Sequence, residues 1–147
     1  MKTTFFHLTG LASAIFLAAC AELSPGPGRV PSLAGDWTCV SAQVNGTPLS
    51  TETVQALSLT LTDTRYITRK GSEILFDSTY RVDRTETPAR IFMLGNEGEL
   101  SGKEAAGIYE LTGNTLRICY AMPGDPPPTS FEQIPAKAQL IIWRRRT

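Results

Sequence analysis

Cys20, Cys39 and Cys119 are the three thiols of this 147-residue chain, and their sequence contexts differ. Cys20 directly follows the largely apolar run 8–19, which ends in Leu-Ala-Ala. A charged start, a short apolar run and small residues at the cut site are the layout of a secretory signal peptide. Cys39 and Cys119 lie in strand-like segments, and an exported protein can pair such thiols as a disulfide or bury them free as small apolar groups.

The order Leu17-Ala18-Ala19-Cys20 resembles the lipobox of bacterial lipoproteins. The resemblance implies diacylation of the Cys20 thiol, cleavage before Cys20 and acylation of the new amino terminus. Two acyl chains anchor a protein stably, where one binds only marginally. The apolar run is too short for a membrane-spanning helix, which needs roughly 20 residues. We therefore expect a lipid-anchored protein of the cell envelope, and Ala21 favours the outer membrane, facing the periplasm.

The single histidine, His7, lies in the predicted leader, so the mature protein contains no histidine. This excludes Ser-His-Asp and Cys-His catalysis as well as histidine-ligated metal sites. Acid pairs such as Asp77 and Asp83, or Glu97 and Glu99, have the residue types of a glycosidase. Solvated charges on strands and loops explain them as well, and nothing marks one pair for split pKa values. We expect a protein that is not an enzyme, with no cofactor and no metal.

Basic and acidic side chains balance, with 14 of each, and only Lys2 of these lies in the leader. The mature chain then has a formal side-chain charge of −1, which gives no electrostatic case for nucleic-acid binding. Arg144-Arg145-Arg146 is the one basic cluster, at the end of an apolar segment. We expect a solvated strand end there, with a weak contact to anionic lipid as the alternative.

The proline and glycine content divides the chain into a leader at 1–19, a lipidated cysteine and linker at 20–32, and a folded domain at 33–147. The linker is too rich in both residues for a helix or strand. Within the domain, residues 57–62 alternate apolar and polar side chains as a half-buried strand does. Ile74, Phe76, Tyr80 and Val82 are predicted to share one face of another strand.

Turn and cap residues complete the prediction. Gly113-Asn114 predicts a tight hairpin between two strands, and the prolines of 123–128 predict a loop. A short helix is predicted over 50–56, with Ser50 or Thr51 as its cap and Glu52 in its first turn. About eight strands, short connections and a single short helix favour an all-β, eight-stranded antiparallel barrel, which can enclose one small ligand or side chains alone.

The Gly-x-Trp of Gly35-Asp36-Trp37 resembles the opening motif of lipocalins, in which the tryptophan plugs the closed end of the barrel. Over 33–145 the chain is similar to the small lipocalin-like domain family of uncharacterised bacterial proteins, best known from planctomycetes. The segments that carry this resemblance follow in order: Trp37-Thr38-Cys39-Val40-Ser41, Asn45-Gly46-Thr47-Pro48-Leu49, Tyr80-Arg81-Val82-Asp83, Thr87-Pro88, Gly107-Ile108-Tyr109-Glu110-Leu111, Gly113-Asn114-Thr115-Leu116-Arg117-Ile118-Cys119 and Pro128-Thr129-Ser130-Phe131. The resemblance implies a lipocalin-like barrel and no enzymatic activity.

Two functions fit these expectations. In the first, the barrel binds a small apolar ligand, because barrel mouths are common ligand sites. The interior side chains predicted to line that site are Trp37, Phe76, Tyr80, Ile108 and Tyr120, with Leu59, Leu61, Leu116 and Ile118 as further inward residues. In the second, the loop at 123–130 and the segment 90–102 are candidates to bind an envelope protein or glycan over a filled barrel.

Overall fold

The computed structural model describes residues 30–147, in which nine β-strands and one α-helix follow one another. The predicted leader, Cys20 and the linker up to residue 29 lie outside the described residues. The elements are β1 Gly35–Val44, β2 Thr47–Pro48, α1 Thr51–Ala56, β3 Leu57–Leu61, β4 Arg65–Lys70, β5 Glu73–Asp83, β6 Ala89–Gly95, β7 Glu104–Thr112, β8 Thr115–Ala121 and β9 Gln139–Arg145. A single 3-10 turn, Gly98–Leu100, lies between β6 and β7.

The strands form one antiparallel sheet in the order β1-β3-β4-β5-β6-β7-β8-β9, and β9 pairs again with β1. The sheet therefore closes into an eight-stranded barrel, and β2 is an extra strand that pairs with the end of β1. Closure pairs both edges of the sheet and so removes the unpaired edges at which sheets aggregate. The predicted all-β, eight-stranded antiparallel barrel with one short helix is confirmed.

Local sequence explains several of these elements. In β3, Leu57, Leu59 and Leu61 are buried while the residues between them are not, as the period-two alternation predicts. Helix α1 begins after Ser50, whose hydroxyl accepts a hydrogen bond from the amide of Thr53 at 3.2 Å. This cap satisfies one of the amides that a helix start leaves without a partner. The predicted helix is confirmed, and of the two predicted caps Ser50 is the one observed.

Two bulges shift which residues face the interior. In β1 the register against β9 slips between Cys39 and Ser41, so that Val40 is 46% exposed. In β5 the register against β4 slips by one residue, because Thr68 pairs with Phe76 and Arg69 pairs with Ile74. Leu75 is thus the extra residue of a bulge. Because of this insertion, Ile74 points to the side of the sheet opposite to Phe76. The prediction that Ile74 shares the face of Phe76 is wrong, and Ile74 is 53% exposed.

Trp37 closes one end of the barrel. Its side chain is fully buried, and its Nε1 donates a hydrogen bond to the carbonyl oxygen of Leu33 at 3.1 Å. Arg145 lies over the indole ring and donates a hydrogen bond to the carbonyl oxygen of Ala34 at 2.6 Å. Gly35 permits this approach: it has a φ of +141°, and a Cβ there would lie 2.9 Å from Arg145 Nη1. We call this the closed end.

The segment 122–138 crosses the outer face of the barrel. Ile108 and Cys119 pair with each other on adjacent strands and are buried with Ala138 in a small cluster separate from the interior. Phe131 of this segment packs against that cluster, and the guanidinium of Arg117 lies 3.8 Å from its ring centroid. The predicted proline loop is present and serves as a cover for these strands.

The residues Pro31–Thr147 form one compact unit. Every member of the interior core and of the outer cluster lies between Leu33 and Trp143, so this unit contains its own hydrophobic core. We refer to Pro31–Thr147 as the barrel domain and expect it to fold alone. Within the described range, no helix is both long and apolar enough to cross a bilayer.

Candidate ligand site at the barrel mouth

A cavity of about 250 Å³ lies at the end of the barrel opposite Trp37. Ala42 and Val44 form its wall on β1, at the end of the strand far from Trp37. On β9 its wall is formed by Gln139 and Ile141. The remaining wall is mainly apolar, and its residues are Leu49, Thr53, Leu57, Thr68, Lys70, Leu75, Phe76, Leu100, Tyr120 and Met122. We call this cavity the mouth cavity.

Helix α1 forms one side of the mouth. Leu49 and Thr53 contribute to the wall from the turn before the helix and from its first turn. Val54, on the same helix, packs against the interior core. The 3-10 turn faces α1 across the mouth with Leu100. Two short helical segments therefore limit access to the cavity.

The polar groups of the wall are few. The hydroxyl of Tyr120 hydrogen-bonds Oε1 of Gln139 at 3.0 Å. Burial raises the pKa of Tyr120 to about 12, so this phenol is neutral at physiological pH. Thr68 is almost fully buried, and Lys70 is exposed at the rim. A mostly apolar wall with a few placed polar groups is typical of sites for small organic ligands.

The layer of side chains beneath the mouth cavity holds two buried polar atoms without hydrogen-bond partners. These are Oη of Tyr66 and Nε1 of Trp143, judged among the atoms of residues 30–147. Tyr66 precedes the wall residue Thr68 by two positions, and Trp143 follows the wall residue Ile141 by two. Alternate residues of a strand share a face, so both rings lie on the interior side, one step further in.

Four of the five predicted ligand residues face the barrel interior, and two of these four reach the cavity. Phe76 and Tyr120 line the mouth cavity. Trp37 and Tyr80 are interior side chains away from it: Trp37 plugs the closed end, and the hydroxyl of Tyr80 donates to the carbonyl oxygen of Thr62 at 2.9 Å. Trp37 and Tyr80 are therefore interior residues that do not reach the mouth cavity.

Ile108 does not face the interior, and its predicted place in the ligand site is wrong. It packs in the outer cluster, whereas its neighbour Tyr109 belongs to the interior core. Adjacent residues of a strand point to opposite faces. Both residues are apolar enough to be buried, so the sequence pattern alone does not distinguish them. The segment 122–138 buries the outer one.

Cys39 and Cys119 are free thiols. Cys39 packs against the interior core, whereas Cys119 lies in the outer cluster. The barrel wall thus separates the two side chains, which a disulfide cannot bridge without moving the backbone. The alternative of two free thiols describes the structure, and the possible disulfide between them is not formed.

Asp77 and Asp83, one of the acid pairs considered for catalysis, have separate partners. Asp77 forms an ion pair with Arg65 and accepts a hydrogen bond from Nδ2 of Asn96 at 3.0 Å. Burial raises the pKa of Asp77, but these partners outweigh it and lower the pKa below its usual value. Asp83 accepts hydrogen bonds from the hydroxyl and amide of Thr85, which lower its pKa. Neither carboxyl group has the raised pKa of a general acid.

Sequence reasoning missed Tyr66, Gln139 and Trp143 as residues in or beneath the site. The pattern Tyr66-x-Thr68 is the alternation of a half-buried strand and could have placed both inward. Gln139 stands directly before the apolar run of β9, where a polar residue marks a strand start near a rim. Among residues 30–147, no three His, Cys, Asp or Glu side chains are grouped to hold a metal ion.

Comparison with known proteins adds no further constraint on the site. No family model matches this chain, and neither does any curated protein or solved structure. Function is therefore inferred from the barrel, the mouth cavity and the groups beneath it.

Proposed function

We propose that the barrel binds a small apolar molecule in the mouth cavity. The observation that carries the proposal is the cavity of about 250 Å³ with its mainly apolar wall. Engineered apolar cavities of about 150 Å³ bind benzene, and sites for drug-sized molecules begin near 300 Å³. The expected ligand is therefore a single substituted ring or a chain of medium length.

We further propose that the protein is a non-catalytic lipoprotein of the bacterial cell envelope, anchored through acyl chains on Cys20 and facing the periplasm from the outer membrane. Support comes from the leader and the Leu-Ala-Ala-Cys pattern. A closed barrel with a mouth cavity is also the architecture that membership of the bacterial lipocalin-like family, proposed from the sequence, would imply. The partners are then a lipid bilayer and an apolar ligand, with no nucleic acid.

The ligand proposal is tested by filling the cavity from its rim. Val44→Trp places a large ring where Val44 lines the mouth, and Val40→Trp places the same ring on the exposed side of the same strand. The barrel domain and both variants are titrated with acetophenone, followed by backbone amide NMR. We expect saturable shifts at mouth residues in the wild type and in Val40→Trp and their loss in Val44→Trp. Equal binding by all three proteins would place the ligand elsewhere.

A second candidate function is favoured by the outer rim of the mouth. Ile74 and Leu75 are 53% and 49% exposed beside a groove of about 410 Å³ that Glu97 and Glu99 also line. Such a groove fits an apolar side chain of a partner protein flanked by basic residues. Peptides of that composition would bind the barrel domain and lose binding in Ile74→Asp, which leaves the mouth cavity wall unchanged. Binding unaffected by Ile74→Asp would reject the groove as the contact.

A further inference from the structure

We infer that the ligand carries an uncharged hydrogen-bond acceptor, such as a ketone or ester oxygen, at its inner end and that the hydroxyl of Tyr66 binds it. The inference rests on the proposed function and names the chemistry of its ligand. It starts from a fully buried side chain whose Oη has no hydrogen-bond partner among residues 30–147. Native proteins leave few buried polar atoms in this state, and each such atom calls for an explanation.

The hydroxyl of Tyr66 lies close to groups that line the mouth cavity. The Tyr66 ring packs edge to face against Phe76, with ring centroids 6.2 Å apart. The Thr68 hydroxyl lies close enough to that of Tyr66 to lower the Tyr66 pKa as a long hydrogen bond does, but its geometry does not satisfy Oη of Tyr66. Tyr120 is also near enough to affect the pKa of Tyr66. Phe76, Thr68 and Tyr120 are all wall residues. The Tyr66 ring also packs against Tyr80, with ring centroids 6.5 Å apart, and Tyr66 is not itself a wall residue. Its hydroxyl therefore lies just beneath the inner end of the cavity.

The unpartnered groups call for an acceptor. Burial raises the pKa of Tyr66 well above its usual value, so the phenol keeps its proton. Nε1 of Trp143, the second unpartnered atom beneath the cavity, can only donate. Tyr120, by contrast, already has Gln139 as its partner. A ligand oxygen that accepts a hydrogen bond therefore complements the unpartnered donors of Tyr66 and Trp143.

The acceptor should be uncharged, because among residues 30–147 no cationic side chain lines the inner end of the cavity. Lys70, the one charged residue of the cavity wall, is at the exposed rim. Arg145 is at the closed end, over Trp37, and its guanidinium is bound to the carbonyl oxygens of Ser32 and Ala34. Arg84 donates a hydrogen bond to the hydroxyl of the interior residue Tyr109 at 2.8 Å and does not line the cavity. Burying a carboxylate without a cation is strongly unfavourable. A carbonyl group on an apolar body avoids that penalty.

The test uses two molecules of nearly the same shape. Acetophenone carries a carbonyl oxygen, and α-methylstyrene carries a methylene group in its place. Each is titrated by NMR into the barrel domain, into Tyr66→Phe and into the matched control Tyr80→Phe, whose hydroxyl bonds Thr62 and not the cavity. We expect Tyr66→Phe to weaken acetophenone binding by about two- to tenfold, the size of one hydrogen bond, and to spare α-methylstyrene. Tyr80→Phe should change neither affinity.

The outcomes separate the two proposals. If both molecules bind and Tyr66→Phe leaves acetophenone affinity unchanged, the inference is wrong and the ligand proposal stands; an ordered water then holds the Tyr66 hydroxyl. If neither molecule binds the wild type, the ligand proposal fails and the inference with it. The carbonyl carbon NMR shift of acetophenone bound to the wild type gives a measurement that needs no variant. It should move from the value in alkane towards that in a hydrogen-bonding solvent, and an alkane-like value would overturn the inference.

Discussion

The guanidinium of Arg145 lies over the indole ring of Trp37, with Cζ 4.2 Å from the ring centroid. Trp37 is near the start of β1 and Arg145 ends β9, and the two residues pair directly across the seam that closes the barrel. A cation above an aromatic face adds an attraction that increases when both groups leave water. The contact thus joins the first and last strands of the barrel at the closed end.

Trp37→Ala should destabilise the barrel domain by about 3–5 kcal/mol, the range for a large aromatic truncated in a core. The side chain is fully buried, so the change leaves a cavity and removes the ring on which Arg145 lies. Urea unfolding of the barrel domain measures the loss. Val40→Ala, at an exposed position of the same strand, is the control and should change stability by less than about 0.5 kcal/mol. A loss below about 1 kcal/mol for Trp37→Ala would contradict its place in the core.

Asp77→Asn should remove part of the acid sensitivity of the domain. The partners of Asp77 lower its pKa below the ordinary value of 3.8, so the ionised form stabilises the fold above that pH. This contribution is lost as pH falls from about 4 towards the lowered pKa. Near neutral pH we expect Asp77→Asn to cost on the order of 1 kcal/mol, with a smaller difference from wild type at about pH 3.

Urea unfolding at the two pH values tests the Asp77 prediction. Glu104→Gln is the matched control, because its ion pair with Arg81 is long, at 3.5 Å, and both side chains are exposed. It should have little effect at either pH. A difference between Asp77→Asn and wild type that grows on acidification would show that the sign is wrong.

Both thiols should react slowly in the folded domain. Burial raises the pKa of Cys39 and of Cys119 to about 11. A backbone hydrogen bond with Ser41 partly opposes this rise for Cys39, and the charge of Arg117 partly opposes it for Cys119. At about pH 8 the thiolate fraction is then about one in a thousand, and only the thiolate attacks. An aromatic disulfide reagent should label two thiols quickly in urea and very slowly in the folded state.

Thiol counting also tests the cysteine arrangement. Cys39→Ser should leave one reactive thiol in urea, which assigns the remaining reaction to Cys119. Labelling of no thiol in unfolded, unreduced barrel domain would reveal a disulfide and contradict their placement on opposite sides of the wall. Rapid labelling of the folded wild type would show that one thiol is accessible.

Cys20→Ser should abolish membrane anchoring, because the acyl chains supply the membrane affinity. Cells that express the whole chain are extracted with a phase-separating detergent. The wild type should partition into the detergent phase and Cys20→Ser should not, while Cys39→Ser behaves as the wild type. If wild type and Cys20→Ser partition alike, the lipobox assignment is wrong.

Much of the barrel follows from short-range patterns. The alternation of residues 57–61 places three leucines inward, Gly113 has the positive φ of +58° that its hairpin turn requires, and Ser50 caps α1. Each of these features depends on residues only a few positions apart, so each can be predicted from the local sequence. The burial of Ile108 depends instead on the distant segment 122–138, which covers the outer face after β8.

The mouth cavity is harder to predict than the barrel that contains it. Its wall includes Leu75, which faces the mouth only because a bulge inserts it between the paired residues Ile74 and Phe76. Its volume depends on how far α1 and Leu100 reach across the open end. Neither property is periodic in the sequence. Composition predicts an apolar interior, but whether that interior is filled is decided by tertiary packing.

The meeting of β1 and β9 at the closed end also determines how the domain can be handled. Arg145 of β9 donates hydrogen bonds to Ser32 and Ala34, just before β1, and the amide of Arg146 donates to the carbonyl oxygen of Asp36. Sequence added before residue 31 or after residue 147 therefore leaves from the rim opposite the mouth cavity. A fluorescent reporter or a solid support attached at either side leaves ligand access open, and a short peptide joining the two sides would permit circular permutation.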